Sequence, residues 1–214
     1  THTRVINKKT GSFAGDYIGD FDGDGANEII IPYFDNAKKF GCIIAGKPKD
    51  PMERSTEASI QLTCQNPPLH TMGDFYNCGK SQILFIDRNA KTIGMLYCDN
   101  NGNNRSFQTN IDLPYALFNI FPMDCNNNGL LDLLLVFKDE YKILWNQGVG
   151  EGQCPFSDSN TSSYYTTLTY SRILQQGDFN GDGLIDFISN SDNDPDISKN
   201  DISGWYFYLN NGDG

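Results

Sequence analysis

One short acidic loop recurs four times along the 214-residue chain, and this recurrence limits the possible folds more than any other feature of the sequence. The loops begin at Asp20, Asp74, Asp124 and Asp178, at spacings of 54, 50 and 54 residues. A nearly constant period of this length indicates repeated supersecondary units, each of which buries its apolar face against a neighbour. The period predicts a single repeat region over 1–214, with four units at 12–66, 67–115, 116–170 and 171–214, the last of them incomplete.

Short apolar runs follow each loop, and their alternation and β-branched residues are typical of strands rather than helices. Only 50–58 has helical character, because Pro51 suits the first turn of a helix. Asparagine-rich stretches at 100–103, 146–148 and 210–213 predict tight hairpin turns. Strands are predicted at 28–33, 82–86, 132–137 and 186–189, at 42–45, 93–97, 142–145 and 205–209, and at 59–64, 106–111 and 164–169. This is an all-β pattern, and three or four short strands per unit are typical of β-propeller blades.

Three of the four loops place oxygen-bearing side chains at positions 1, 3, 5 and 9, counted from the leading aspartate. Glycine at position 6 allows the backbone to curl tightly. Calcium takes about six to eight oxygen ligands from such loops, and position 7 would add its carbonyl. The predicted calcium ligands are Asp20, Asp22, Asp24, Ala26 and Glu28 in loop one, Asp124, Asn126, Asn128, Leu130 and Asp132 in loop three, and Asp178, Asn180, Asp182, Leu184 and Asp186 in loop four.

Neither an EF-hand nor a simple β-turn accounts for these loops. An EF-hand needs a bidentate glutamate at position 12 and flanking helices, but that position holds Ile31, Leu135 and Ser189 inside predicted strands. Simple β-turns would account for one Asp-Asn-Gly run, but not for three copies with the same positions at one period. Magnesium fits less well than calcium, because it retains more of its water.

Loop two is the exception. Asp74 keeps position 1, whereas Tyr76, Cys78 and Gln82 occupy positions 3, 5 and 9. One carboxylate without a set of neighbouring oxygens is a poor calcium site. We therefore predict that this loop binds no metal.

The six cysteines form an even set without the close pairs of a zinc site. Together with glycosylation sequons at Asn104 and Asn160, they favour the secretory pathway and an extracellular location. Six buried free thiols are the alternative. Pairing within each unit would give Cys42–Cys64, Cys78–Cys98 and Cys125–Cys154.

The charge of the chain restricts its partners. A net charge of −11 argues against nucleic acid and anionic membranes as partners. No apolar run approaches the roughly 20 residues of a membrane-spanning helix, so we expect no direct membrane insertion. Asp outnumbers Glu by 22 to 5, which favours turns and oxygen-ligand loops over helices.

The loop segments 19–29, 123–133 and 177–187, with the closing stretch 205–214, resemble the FG-GAP (VCBS-type) repeats of integrin α-subunit propellers and of T-cell immunomodulatory protein-like proteins. The resemblance covers most of the chain as four blades and implies an extracellular, calcium-braced propeller, usually seven-bladed. The Phe-Gly-Gly-Ala-Pro sequence of that family is absent. Seven blades at this period would need roughly 370 residues, so we expect further blades beyond Gly214 or a strand supplied by a partner copy.

Catalysis has little support, because the chain has only His2 and His70 and no recognisable nucleophile, zinc or phosphate motif. We expect a non-enzymatic adhesion or protein-interaction module that binds a protein or glycan at the cell surface or in the extracellular matrix. A lectin is the main alternative, with the aromatic residues Trp145, Trp205, Tyr206 and Tyr208 either stacking on sugars or packing between blades. Two further interpretations are a glycosidase and a non-catalytic domain of a secreted polysaccharide-active enzyme.

Overall fold

The structure, a computed structural model, describes residues 11–13, 15–35, 40–45, 55–60, 67–87, 91–113, 117–137, 140–165, 171–191 and 205–211. Within these ranges the chain forms β-strands, turns and bends, and no helix. A membrane-spanning helix is therefore not found in the part of the chain that the structure describes.

The strands form four antiparallel sheets that follow one another in the sequence. Sheet one contains β1 (Gly11–Phe13), β2 (Tyr17–Gly19), β3 (Glu28–Asp35), β4 (Phe40–Ala45) and β5 (Ser55–Ile60). Sheet two contains β6 (Leu69–Gly73), β7 (Gln82–Ile86), β8 (Thr92–Cys98) and β9 (Asn104–Asn110). Sheet three contains β10 (Asn119–Met123), β11 (Asp132–Val136), β12 (Glu140–Leu144) and β13 (Thr161–Tyr165). Sheet four contains β14 (Ser171–Gly177), β15 (Asp186–Ser191) and β16 (Trp205–Tyr208).

The acidic loops occupy the same place in every sheet. Each joins two antiparallel neighbours, β2 to β3, β6 to β7, β10 to β11 and β14 to β15. The predicted strands that follow the loops are confirmed, whereas the strands that precede them were not predicted. The expected helix at 50–58 is wrong at its described end, because Thr56 and Ala58 pair with Ile44 and Cys42 of β4; residues 50–54 and 61–66 lie outside the described part.

In sheets two and three, both faces of the second strand are buried. In β7, Ile83 and Phe85 belong to an apolar cluster shared with sheet one, and Leu84 and Ile86 belong to a cluster shared with sheet three. The strand β11 repeats this alternation, since Leu134 and Val136 face sheet four. Each such side chain contributes about 1.5–3 kcal/mol by burial. These continuous apolar runs therefore exist because sheets two and three each pack between the preceding and the following sheet.

Candidate metal-binding loops

The four loops share one backbone conformation although their side chains differ. Positions 4 and 6 have positive φ in every loop, a region that glycine and asparagine tolerate. The values are 81° and 85° for Gly23 and Gly25, 49° and 80° for Asn77 and Gly79, 58° and 83° for Asn127 and Gly129, and 80° and 87° for Gly181 and Gly183. Loop two therefore has the conformation of the predicted calcium loops without their acidic residues.

The leading aspartate closes each loop from inside. In loop one, Asp20 accepts hydrogen bonds from the backbone N–H groups of Gly23 at 2.7 Å and Gly25 at 2.8 Å. In the other loops Asp74, Asp124 and Asp178 likewise accept the N–H of position 6. Their second donor is position 5 in loops two and three and position 4 in loop four. This shared bonding explains why Asp74 is present in a loop that lacks the other acids.

The side chains at positions 3 and 5 form successive Asx turns in loops one, three and four. In loop one, Asp22 accepts the N–H of Asp24 at 3.2 Å, and Asp24 accepts the N–H of Ala26 at 3.0 Å. The same pairs occur as Asn126 with Asn128 and Asn128 with Leu130, and as Asn180 with Asp182 and Asp182 with Leu184. All fifteen predicted calcium-ligand positions therefore lie on loops of one geometry.

Loop one brings three carboxylates together. Asp20, Asp22 and Glu28 each have an oxygen within 4.8 Å of the others. Glu28 is only 2% exposed; its Oε2 accepts the N–H of Phe21 at 2.8 Å. Its Oε1 is buried and has no hydrogen-bond partner in the described structure. Burial raises the pKa of Glu28, and the charges of Asp22 and Asp24 raise it further, against the backbone hydrogen bonds that lower it.

A buried carboxylate oxygen without a partner is costly, because it has lost its water and gained nothing in return. A divalent cation between the three carboxylates would supply the missing interaction and cancel their repulsion. All the candidate ligand atoms are oxygens, which suits a hard cation such as calcium. The residues of loop one therefore fit the ion that the sequence predicts.

Loop two closes itself with an amide instead. Gln82, at position 9, accepts the N–H of Phe75 at 2.6 Å through its side-chain oxygen. Its side-chain nitrogen donates to the carbonyl of Lys80, at position 7, at 2.5 Å. That carbonyl is the group that position 7 would offer to calcium in the other loops. The side-chain NH2 of Gln82 thus contacts, in loop two, the carbonyl that a bound cation would contact in the other loops.

In loops three and four the position-9 carboxylate is already engaged on both oxygens. Asp132 accepts the N–H groups of Cys125 at 3.0 Å and Asn146 at 2.8 Å. Burial raises its pKa, and these two hydrogen bonds oppose the shift. Asp186 accepts the N–H groups of Phe179 and Asn210 in the same way. Among the described residues, only loop one has three carboxylates clustered as a metal group.

Asn146 and Asn210, named here the clasp residues, connect neighbouring loops. The side-chain nitrogen of Asn146 donates to the carbonyl of Phe75 in loop two at 2.8 Å. That of Asn210 donates to the carbonyl of Cys125 in loop three at 2.6 Å. Because Asp132 and Asp186 hold the clasp residues by their backbone N–H groups, loops two, three and four form one hydrogen-bonded series.

Sequence reasoning missed this role. The expected tight hairpin at Asn146 is wrong, because β12 ends at Leu144 and β13 begins only at Thr161. The expected hairpin at 100–103 is correct, with Gly102 N–H donating to the carbonyl of Asp99 at 2.9 Å. One sequence feature could have indicated the clasp residues. In sheets three and four, an asparagine follows the last paired residue of the third strand by two positions.

Lys80 joins loop two to its surroundings. Its ammonium donates to the carbonyl of Cys98 at 3.2 Å, to Asn100 at 2.9 Å and to Glu151 at 3.1 Å. Its aliphatic stem lies against Gly23 of loop one. Burial opposes the charge, but Glu151 outweighs burial and raises the pKa of Lys80. The lysine therefore stays charged between sheets one, two and three.

The predicted disulfides are not formed among the described cysteines. Cys78 is exposed on loop two, whereas Cys98 is buried between sheets one and two. Cys125 packs between sheets three and four, but Cys154 packs between sheets two and three. The pairs Cys78–Cys98 and Cys125–Cys154 are thus corrected to separate thiols. Cys42 is also a buried thiol, and its predicted partner Cys64 lies outside the described residues.

We expect Cys78 to be the most reactive of the five described thiols. Burial raises the pKa of Cys42 to about 12 and raises that of Cys125 as well, so both stay protonated and covered at neutral pH. Cys78 is exposed. Maleimide labelling of the native protein, followed by peptide mapping, should modify Cys78 first, and C78S should remove the fast phase. Equal rates at all sites, or pairs that resist labelling until reduced, would contradict this assignment.

The remaining predicted positions differ in accessibility. Asn104 is exposed at the start of β9, while Asn160 is half-buried and its carbonyl accepts the N–H of Trp145 at 3.1 Å. Trp145 packs against the cluster between sheets three and four, and Tyr208 stacks on Phe187 there at 4.6 Å. These two aromatics thus pack between sheets. The side chains of Trp205 and Tyr206 lie outside the described part.

Comparison with known proteins identifies part of the chain. Residues 124–189 match the family model described as FG-GAP-like repeat. This segment is thus similar to an FG-GAP-like repeat. The matched segment begins at the leading aspartate of loop three and includes the whole of loop four, so the family match and the loop geometry coincide. No curated protein sequence matches the chain.

A solved structure supports the same fold. A lectin of Agrocybe aegerita, described as recognising non-reducing terminal N-acetylglucosamine, superposes with a TM-score of 0.62 and 19% identity. The match covers 95% of this chain and 50% of the lectin chain, so this chain spans about half the length of the lectin. The lectin is a β-propeller, and at this identity the similarity establishes the fold alone. The four sheets are β-propeller blades.

Proposed function

We propose that loop one binds calcium and that the chain is a calcium-braced β-propeller module for interactions outside the cell. The observation that supports the metal is Glu28, whose buried Oε1 lacks a hydrogen-bond partner in the described structure and lies beside the carboxylates of Asp20 and Asp22. A bound divalent ion would remove both the unsatisfied oxygen and the repulsion among the acids.

The ion would act as a structural brace. Asp20, Asp22, Asp24, Glu28 and the carbonyl of Ala26 would hold it in loop one, and calcium would supply positive charge to the junction of β2 and β3. We extend the proposal to loops three and four, which have the same backbone and Asx turns. There Asp132 and Asp186 would contact the ion while keeping their backbone hydrogen bonds, because each carboxylate oxygen has two lone pairs. Loop two is proposed to stay metal-free, because Gln82 already satisfies the carbonyl of Lys80.

The substitution Glu28→Gln tests the proposal, because it gives loop one the position-9 residue of loop two. Calcium at 100 times its dissociation constant should increase the free energy of unfolding of the wild type by about 2.7 kcal/mol, and so raise its melting temperature. E28Q should melt higher than the wild type in excess EGTA, because the amide replaces a buried unpaired carboxylate and can donate to Ala26. It should also respond less to calcium.

The matched control is Asp16→Asn, which removes an exposed carboxylate just outside loop one. D16N should keep the calcium response of the wild type. Melting temperatures of the wild type that are equal in calcium and in EGTA would refute the proposal. A calcium response of E28Q that equals the wild type's would instead remove loop one from the metal sites.

We propose a binding role rather than an enzymatic one, with a protein or glycan ligand at the cell surface or in the matrix. The FG-GAP-like repeat and the β-propeller fold support an interaction module. Carbohydrate binding is the second candidate, because the similar lectin is described as recognising terminal N-acetylglucosamine. A glycan array with the calcium-loaded protein separates the two: selective glycan binding favours the lectin, and its absence favours a protein ligand.

A further inference from the structure

The long connection between β12 and β13 of sheet three lies against loop two. This connection, residues 145–160, is named here the strap. The hydroxyl of Tyr76, at position 3 of loop two, donates to the carbonyl of Gln153 at 3.0 Å and accepts the N–H of Gly152 at 3.2 Å. The clasp residue Asn146 also belongs to the strap. Position 3 holds a predicted calcium ligand in the other three loops, whereas in loop two it bonds to the neighbouring sheet.

Lys80, at position 7 of loop two, reaches the same strap with its ammonium. Its Nζ atom lies 3.2 Å from the carbonyl oxygen of Cys98, 2.9 Å from the side-chain oxygen of Asn100 and 3.1 Å from Oε1 of Glu151. An ammonium has three N–H donors, so these three oxygens are enough to accept all of them. The side chains of Lys80 and Glu151 are only 13% and 21% exposed. The charge is therefore enclosed by oxygens of sheet two and of the strap.

The aliphatic stem of Lys80 is held as well. It lies against Gly23 of loop one, where a Cβ atom would approach Cγ and Cε of the lysine to 3.1 Å. An exposed ion pair contributes little to stability, because both side chains lose freedom and water screens their charges. Lys80 differs from such a pair, since its stem is packed, its ammonium is shielded, and uncharged oxygens complete its contacts.

This charge occurs in the one loop that lacks the other acids. Position 7 is apolar in the remaining loops, with Ala26, Leu130 and Leu184. Those loops carry a carboxylate at position 9, whereas loop two has none beyond Asp74. The loop without a calcium site therefore has a lysine at the position where the others offer only a carbonyl.

We propose that the ammonium of Lys80 occupies a cation site built by Cys98, Asn100 and Glu151, and that this built-in charge joins sheet two to sheet three without metal. The site suits a primary ammonium, which has three N–H donors for three oxygens and a single charge that one carboxylate balances. It does not suit calcium, which takes about six to eight oxygens. The inference goes beyond the proposed function, because none of these residues is a proposed calcium ligand.

The substitution Lys80→Ala tests the proposal, because it empties the site and keeps its oxygens. In excess EGTA, K80A should melt about 4 to 8 °C below the wild type, since the shielded carboxylate of Glu151 loses its partner. Ethylammonium chloride should restore most of this loss, because it offers a primary ammonium on a short apolar chain that matches the end of the missing stem. Tetramethylammonium chloride at the same concentration has the charge but no N–H donor, and it should restore none.

Two other lysine variants serve as controls. Lys80→Met keeps a stem against Gly23 but ends in a methyl group that blocks the approach of another ammonium, so K80M should lose stability without responding to ethylammonium. Lys91→Ala removes a lysine that is also paired with an acid, Asp112, but whose side chain is 62% exposed. K91A should change the melting temperature by no more than about 2 °C and should not respond to ethylammonium either.

A double-variant cycle keeps the proposal testable if K80A does not fold. The combined loss of K80M with Glu151→Gln should be smaller than the sum of the two single losses, because both substitutions remove the same contact. Additive losses in this cycle would overturn the proposal. So would a K80A variant that ethylammonium does not restore, or that tetramethylammonium restores equally well.

Every melt is repeated in calcium. The loss caused by K80A should persist there, whether or not calcium raises the melting temperature of the wild type, so failure of metal binding and failure of the ammonium site are distinguishable. A K80A loss that occurs in only one of the two conditions would contradict a joint that is independent of metal.

Discussion

Replacing Asp132 by alanine should lower the free energy of unfolding by about 3 to 5 kcal/mol, the largest effect that we expect from one side chain. Asp132 is fully buried and accepts hydrogen bonds from Cys125 and Asn146. Its removal leaves two buried N–H groups without an acceptor. It also releases Asn146, which holds the carbonyl of Phe75 in the neighbouring loop.

Urea unfolding in excess EGTA measures this loss without any contribution from bound metal. The control is Asp112→Ala, since the Asp112 side chain is 79% exposed and should change stability by no more than about 0.5 kcal/mol. Asn146→Ala should show part of the loss, because it removes the bond to Phe75 but keeps the backbone N–H. A loss below about 1 kcal/mol for D132A would show that the series of loops does not stabilise the fold.

Replacing Gly94 by alanine should lower the free energy of unfolding by about 3 kcal/mol. Gly94 lies in β8 opposite Phe85 of β7. A Cβ atom there would lie 2.6 Å from the carbonyl oxygen of Phe107 and would also overlap the ring of Phe85. The ring is fully buried against sheet one, so it has nowhere to move.

The control for this change is Gly150→Ala, because no atom lies within 4 Å of a Cβ at that position. The double variant F85L/G94A should recover part of the loss, since a smaller side chain removes the contact with the ring but not that with Phe107. If G94A unfolds at the same urea concentration as G150A, the packing between β7, β8 and β9 is looser than described.

The strands that are easiest to predict from the sequence are those with two buried faces. The run 82–86 coincides with β7 residue for residue, because burial on both sides leaves an uninterrupted apolar stretch. The strand β10 was not predicted, because Asn119 and Pro122 interrupt its apolar pattern. Its place is set by pairing with β11, a contact between segments that local propensity does not contain.

The loops show a similar division. Glycine at position 6 was predicted to let the backbone of loops one, three and four curl, and that position has positive φ in each. The same conformation in loop two, with Asn77 and Gly79 at positions 4 and 6, was not predicted. Their shared position in the repeat predicts the same ligand role for Glu28 and Asp132, but the structure distinguishes them. Asn146 occupies one oxygen of Asp132, whereas Oε1 of Glu28 has no partner in the described structure. Whether both oxygens of the position-9 acid are hydrogen-bonded depends on a backbone N–H that follows a different strand, as Asn146 follows β12. The repeat period of the sequence contains no information about that contact.

The most direct test of calcium binding is an anomalous difference map from crystals grown in calcium chloride. We expect a peak in loop one with Glu28 Oε1 among its ligands, and no peak in loop two, where Gln82 bonds to Lys80. A loop one without a peak, a peak in loop two, or an ion that leaves Glu28 Oε1 without contact would contradict the account.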